Sequence, residues 1–254
     1  MQETLVKSLR CLNPGVVNLL HKNQQLNQLI KTELTKEILR DIQINEKESN
    51  EIIINFRKGL NLNDDNEYSE WLSKSPFSEK DIYDTALYKK RFSIFCDINF
   101  PHKVESHFLA RKKDLDIVVY SLIRLSNYYK AKELFYRVYE NEEDFGEIAK
   151  KHSEGIEKKT RGIVGPIPVE KSHPKLNNLL RTSKTGEIQQ PVQIDEHFVI
   201  IRVENFESAK LDKSMREKMN EELFNEWINS QVNELRSKLI DQSNQTIEDN
   251  QHEH

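Results

Sequence analysis

The sequence predicts an α+β protein in which a domain with a small sheet is embedded in an otherwise helical chain. Five of the seven glycines fall between residues 146 and 186, and four of the seven prolines lie between residues 166 and 191. Glycine adopts backbone angles that other residues avoid, and proline interrupts helices, so tight turns are concentrated in this window. Outside it, apolar residues recur with a helical period of about 3.6 residues.

The N-terminal part of the chain reads as a series of amphipathic helices. Apolar spacing and capping residues predict helices over residues 5–12, 13–42, 45–59, 78–92 and 101–113. Asn13 is placed to cap the second of these helices, with Pro14 tolerated in its first turn. Between the third and fourth helices we expect a polar loop over 61–66 and a short apolar patch at Tyr68, Trp71 and Leu72.

The period changes at residues 115–125, LDIVVYSLIRL, a β-branched and nearly continuous apolar run that predicts a largely buried strand. We expect the elements after it to be two helices, a glycine-bearing loop, a short strand, a short helix and two final strands. Their predicted ranges are 131–138, 145–149, 153–165, 163–168, 174–180, 190–194 and 197–204. A last helix begins near Asp212 and keeps its apolar stripe to Leu239, and residues 241–254 are predicted to be a disordered tail.

Composition excludes several classes of protein. The net charge is −4 with dispersed basic residues, which argues against nucleic acid as the main partner. No run approaches the roughly 18 apolar residues of a membrane span. Lys7 and Arg10 interrupt the only apolar stretch near the N-terminus, so we find no signal peptide and expect a cytoplasmic protein.

Neither a metal nor another cofactor is expected. The eight histidines form no metal-binding motif, and Cys11 and Cys96 lack metal-ligand spacing. Two free thiols in a reducing compartment are favoured over a disulfide between them, although both readings stay open.

Four motifs in order resemble the parvulin-type (PpiC/rotamase) peptidyl-prolyl cis/trans isomerase family. They are EDFGEIAKKHS (143–153), RGIVGPI (161–167), TGEIQQPV (185–192) and HFVIIRVE (197–204). The flanking helices resemble those of SurA-like and PrsA-like foldases, and stretches such as RGIVGPI resemble a cyanobacterial-type branch.

The resemblance implies a division into four parts. Residues 1–113 would form a helical, chaperone-like lobe, and residues 114–207 a parvulin-like domain with a four-stranded sheet and surrounding helices. Residues 208–240 would return as a helix to the N-terminal lobe, and residues 241–254 would be the tail.

The resemblance also points to the site residues, most of which are substituted here. Ser121 aligns with the family's first-strand histidine, Val199 with its last-strand histidine, and Gly155 with its loop cysteine or aspartate. His197 lies two residues before Val199, so on a strand it shares that face and could partly substitute. The apolar proline pocket is better preserved, and its expected members are Leu122, Val164, Ile167, Leu176 and Phe198.

Twisting an X-Pro bond requires no general acid, base or metal, so loss of the paired histidines weakens catalysis without abolishing it. We therefore expect a peptidyl-prolyl isomerase or foldase of low activity that acts on unfolded or secreted proline-containing polypeptides. Two alternatives stay open: an inactive chaperone or peptide-binding adaptor, and an accessory factor that binds a secretion component.

Overall fold

The computed structural model describes Leu9 and residues 12–252, with side chains up to residue 245. Cys11 and most of the helix predicted over 5–12 lie outside these residues. The chain forms two compact units. The first, the helical unit, comprises the residues up to Val104 and those from Lys213 onward, and the second, the sheet unit, comprises Glu105–Asp212.

The helical unit consists of α1 to α5 together with the long C-terminal helix α10. Their bounds are α1 Pro14–Lys22, α2 Leu26–Arg40, α3 Glu46–Gly59, α4 Asp65–Lys74, α5 Glu79–Asn99 and α10 Lys213–His252. Helix α10 packs on α1, α2 and α5. Phe95 makes ring contacts with Phe224 and Trp227, so aromatic side chains join α5 to α10.

Two helix predictions are corrected here. The single helix expected over 13–42 is interrupted between α1 and α2, where Gln24 has a left-handed backbone (φ 59°) and the Asn23 side chain donates to the Leu19 carbonyl oxygen. The apolar patch at Tyr68 and Trp71 lies on a full helix, α4, whose first turn is capped by Asp64.

The predicted disordered tail is also corrected, because α10 continues to His252. Residues 241–252 contain neither glycine nor proline, so nothing in their sequence ends the helix. The buried stripe of α10 also extends beyond Leu239. Ser243 is buried, and its hydroxyl donates to the Leu239 carbonyl oxygen.

Burial determines the state of one of the two thiols. Cys96 on α5 is a free, fully buried cysteine. Burial raises its pKa to about 12, and the nearby Asp97 and Glu221 act in the same direction. The thiol is therefore protonated at neutral pH, as expected for a packing residue rather than a nucleophile.

The sheet unit has the element order that the sequence predicted. Its elements are α6 Val104–Leu115 (which starts one residue before the unit), β1 Ile117–Leu125, α7 Tyr128–Tyr139, α8 Phe145–His152, β2 Ile163–Pro168, α9 Pro174–Thr182, β3 Val192–Ile194 and β4 His197–Glu207. The four strands form one antiparallel sheet in the order β2-β1-β4-β3. The α+β class and the four-stranded sheet are thereby confirmed.

Each face of the sheet carries its own hydrophobic core. The α9 face packs on the side chains of α9, and its buried members are Val118, Tyr120, Leu122, Val169, Leu176, Leu180, Ile194, Val199, Ile201 and Val203. The opposite face, called here the α7/α8 face, packs Ile123, Leu125 and Ile200 against those two helices. Successive side chains along β1 and β4 point to opposite faces of the sheet. The position of a residue in the strand therefore decides which of the two cores it joins.

Candidate functional site

The centre of the α9 face is a closed cluster rather than an open slot. Leu176 is brought onto the sheet by α9, which begins with a His173 cap and Pro174 in its first turn. Leu176, Leu122 and Val199 are 3–5% exposed. The sequence predicted Leu122 and Leu176 as walls of an accessible proline pocket. The structure instead fills that space with the protein's own side chains.

The accessible apolar surface lies around this cluster. Val164, Ile167, Leu179 and Val192 pack against the cluster and are only partly buried. Val164 and Ile167 lie on β2 opposite Tyr120 and Val118 of β1, and β2 is an edge strand. Val164 and Ile167 border the cluster at the β2 edge of the sheet, and Val192 borders it at the opposite, β3 edge. We call these four residues the apolar rim, to which two members of the predicted pocket, Val164 and Ile167, belong.

Ser121 lies on the α7/α8 face, so the structure does not bring it to the predicted pocket. Its hydroxyl donates to the Glu204 carboxylate, which also accepts from Arg202 Nε at 2.8 Å. The Arg202 guanidinium stacks on the fully buried ring of Phe145, with its carbon 5.0 Å from the ring centroid. Ser121 is thus part of a small polar network beneath α8.

Phe198 is the second correction to the predicted pocket. It packs against the core of the α7/α8 face, where its ring centroid lies 5.2 Å from that of Tyr128. His197, by contrast, pairs with Ile194 across the β3–β4 hairpin. Directly opposed residues share a face, so the half-buried His197 lies on the α9 face together with Val199.

Gly155 precedes a 3-10 turn (Ile156–Thr160) and leaves room for a carboxylate from within that turn. A methyl group added at Gly155 would lie 2.1 Å from one Glu157 carboxylate oxygen and 2.3 Å from the other. Glu157 is buried, and it accepts a hydrogen bond from the Ser153 hydroxyl at 2.7 Å. The Glu157 carboxylate therefore occupies the space that a side chain at position 155 would take.

Glu157 connects this turn to the first strand. Its carboxylate lies 3.6 Å from Arg124 Nε, and the Ser153 hydroxyl accepts from the Arg124 backbone N–H at 3.0 Å. Arg124 is directly opposite Val199 in the sheet, and its side chain is 40% exposed. Burial raises the pKa of Tyr120. The charge of Arg124 lowers this pKa, and that of Glu157 raises it. We call Ser153, Glu157, Arg124 and Tyr120 the polar corner.

The polar corner was not predicted from the sequence. Glu157 reads there as one charge in a charged loop, and Arg124 as a polar interruption of a strand. The available signal was a glycine flanked by Ser153 and Glu157 directly after a helix, because such a glycine makes space for a neighbouring side chain.

Among the residues described, no group of three or more histidine, cysteine, aspartate or glutamate side chains could hold a metal ion. Nor, within the same part of the chain, is any helix long and apolar enough to cross a bilayer.

The sheet order, with two helices on one face and a short helix on the other, agrees with the parvulin-like fold expected from the sequence. Residues 124–205 match the family model of the rotamases, described as the PPIC-type PPIase domain. The resemblance predicted from four motifs is confirmed for this segment. The cyanobacterial branch remains a prediction.

Solved structures of foldases and chaperones are similar to the chain at low identity. The peptidyl-prolyl isomerase PrsA of Bacillus anthracis has 16% identity and a TM-score of 0.42, over 85% of this chain and 97% of that one. A structure reported for PEB4 and Cj1289, two SurA-like chaperones of Campylobacter jejuni, has 20% identity and a TM-score of 0.37, over 94% and 91% of the two chains. The comparison with curated proteins found no match.

Proposed function

We propose that this chain is a parvulin-type foldase that binds proline-containing segments of unfolded polypeptides and isomerises their X-Pro bonds slowly. The observation that carries the proposal is the match of residues 124–205 to the PPIC-type family model. The apolar rim offers accessible apolar surface for the proline ring. Because the cluster at the centre of this face is closed, we expect turnover to be slow. A role in protein export remains a prediction from the sequence.

The polar corner supplies a hydrogen-bond donor beside the rim. The barrier to rotation about the amide is about 18–20 kcal/mol because of resonance, and an enzyme lowers it by binding the twisted amide better than the planar one. A donor near the prolyl nitrogen favours the twisted form, in which that nitrogen regains its lone pair. Arg124 is partly exposed and opposite Val199, and Glu157 holds its guanidinium on this face.

Two-dimensional NMR exchange on a short proline-containing peptide tests the proposal. We expect the full chain to accelerate cis/trans exchange and Arg124→Leu to reduce the acceleration about tenfold or more, because hydrogen bonds from charged donors contribute about 1.5–3 kcal/mol. Glu157→Gln should cause a smaller loss, since its amide oxygen still accepts from Ser153. Arg137→Leu, on α7 at the other face, is the matched control and should leave exchange unchanged.

If Arg124→Leu accelerated cis/trans exchange as much as the parent does, the role of Arg124 as the donor would be contradicted. Absence of any acceleration by the parent would contradict isomerase turnover and support a second candidate function, a non-catalytic chaperone. The burial of Leu122, Leu176 and Val199 favours that candidate. It predicts suppression of client aggregation without faster exchange.

A further inference from the structure

A cavity of about 410 Å³, called here the edge cavity, lies at the β3 edge of the sheet unit. It is lined by side chains of α7, of α9 and of the segment that leads into β3. Its volume falls in the range typical of ligand sites, about 300–1,000 Å³. Leu179 and Val192 line it, and both belong to the apolar rim. The edge cavity is therefore continuous with the surface proposed for the proline-bearing chain.

Two aromatic rings form one wall of the edge cavity. Phe135 and Tyr139, one turn apart on α7, stack with their ring centroids 5.5 Å apart and an interplanar angle of 25°. Phe135 is 6% exposed, whereas Tyr139 is 58% exposed. The half-buried side chains of Leu179, Ile188 and Val192 add aliphatic surface. The Tyr139 ring is thus accessible to a ligand, and Phe135 supports it from within.

Glu187 gives the edge cavity a negative charge. Among the described residues that line the cavity, no other side chain is ionised at neutral pH. Glu187 is exposed, and it forms no ion pair within the part of the chain that the structure describes. Its contact with Lys184 is through the backbone, where the Glu187 N–H donates to the Lys184 carbonyl oxygen at 3.1 Å. The cavity therefore combines an aromatic wall, aliphatic surface and one uncompensated carboxylate.

A long basic side chain suits this combination. The guanidinium group of arginine stacks on aromatic rings and pairs with carboxylates, while its methylene stem packs on apolar surface. Lysine offers the same charge at the end of a similar stem. A neutral apolar side chain would contact the same walls but leave Glu187 without a partner, and an acidic one would be repelled by it.

The register of the sheet gives the distance between the edge cavity and the polar corner. Val192 is directly opposite Val199, and Val199 is directly opposite Arg124, so the three residues form one row on the α9 face. Neighbouring strands lie about 4.7–4.9 Å apart and an extended chain rises about 3.3 Å per residue, so about three residues span this row. A client whose prolyl amide lies at Arg124 therefore reaches the cavity with a residue about three positions from its proline.

We propose that the edge cavity is a specificity subsite that takes an arginine or lysine side chain of the client, about three residues from the isomerised proline. Tyr139 stacks on the cation, Glu187 pairs with it, and the half-buried aliphatic residues contact its stem. This inference rests on the proposed function, because it takes the proline to lie at the apolar rim beside Arg124.

An NMR titration of the full chain with two ten-residue peptides tests the subsite. The first peptide has a single proline, with arginine three residues before it and three residues after it, so that either chain direction is covered. In the second, citrulline replaces both arginines and keeps their shape without the charge. We expect the Kd of the arginine peptide to be about five- to tenfold lower, the combined effect of an exposed ion pair and a cation–π contact. Exchange rates at saturating peptide should be similar, because the subsite lies away from the prolyl amide.

Two variants with matched controls assign this preference to the cavity. Glu187→Gln should lower the preference for arginine over citrulline about threefold. Glu207→Gln removes the same charge at the far end of β4, where its amide oxygen still accepts from Asn205, and should keep the full preference. Tyr139→Leu should lower the preference about twofold or more. Tyr129→Leu, at an 81% exposed position of the same helix, should leave it unchanged.

The outcomes separate the subsite from the proposed function. Faster exchange with equal Kd values for the two peptides, or the same preference in Glu187→Gln as in Glu207→Gln, overturns the subsite and leaves the isomerase standing. The same preference in Tyr139→Leu as in Tyr129→Leu overturns stacking of the cation on Tyr139. A parent chain that neither binds nor isomerises either peptide overturns the proposed function and the subsite with it.

Discussion

Leu176→Ala is expected to lower the free energy of unfolding of the sheet unit by about 2–5 kcal/mol, the usual cost of removing a buried leucine side chain from a packed core. Leu176 is 3% exposed and packs in the cluster that joins α9 to the sheet. Both tryptophans, Trp71 and Trp227, lie in the helical unit and do not report on this unit. Hydrogen exchange of the β1 and β4 amides is therefore the appropriate measurement.

Leu109→Ala is the matched control for this prediction. Leu109 is 68% exposed on α6 in the same unit, and its truncation should change stability by no more than about 0.5 kcal/mol. Unchanged protection of β1 and β4 in Leu176→Ala would show that the cluster is an open pocket after all. The closed cluster also means that Leu176→Asp would unfold the unit, so that variant cannot serve as a test of peptide binding.

Gly165→Ala is expected to destabilise the sheet unit by about 3 kcal/mol or more. Gly165 has φ +109°, and a methyl group there would lie 2.5 Å from the backbone carbonyl oxygen of Val118. Backbone strain contributes about 1–3 kcal/mol, and relief of the overlap requires β1 and β2 to separate where Val118 faces Ile167. The same amide-exchange experiment, read at β1, measures the loss.

Gly186→Ala separates the two causes. Gly186 also has a left-handed backbone (φ +82°), but a methyl group there meets nothing within 4 Å. It should therefore cost only the strain, about 1–2 kcal/mol. If the two alanine variants were equally stable, close packing of β2 on β1 at Gly165 would be refuted.

The elements that the sequence predicted well are those specified by local pattern. The β-branched run of β1, the His173-Pro174 start of α9 and the alternating β4 depend on neighbours in the chain. The break at Gln24 could not be predicted this way, because the apolar spacing continues across it from Leu19 to Leu26.

The site was less predictable because its contacts join distant parts of the chain. The partner of Ser121 is Glu204, on a strand 83 residues later, and strand alternation alone does not say which face meets α9. Burial of Glu157 depends on the space left by Gly155 and on the proximity of Arg124. Closure of the slot depends on how far α9 settles onto the sheet, which residue types alone do not determine.

Binding of a proline-bearing chain at the apolar rim is the central property proposed for the parvulin-type domain. The most direct test is methyl NMR of the full chain, titrated with a proline peptide and with the same peptide carrying alanine instead of proline. We expect the methyl signals of Val164, Ile167, Leu179 and Val192 to shift with the proline peptide and much less with its analogue. Equal shifts with both peptides, or no shifts at these four residues, would contradict binding at the rim.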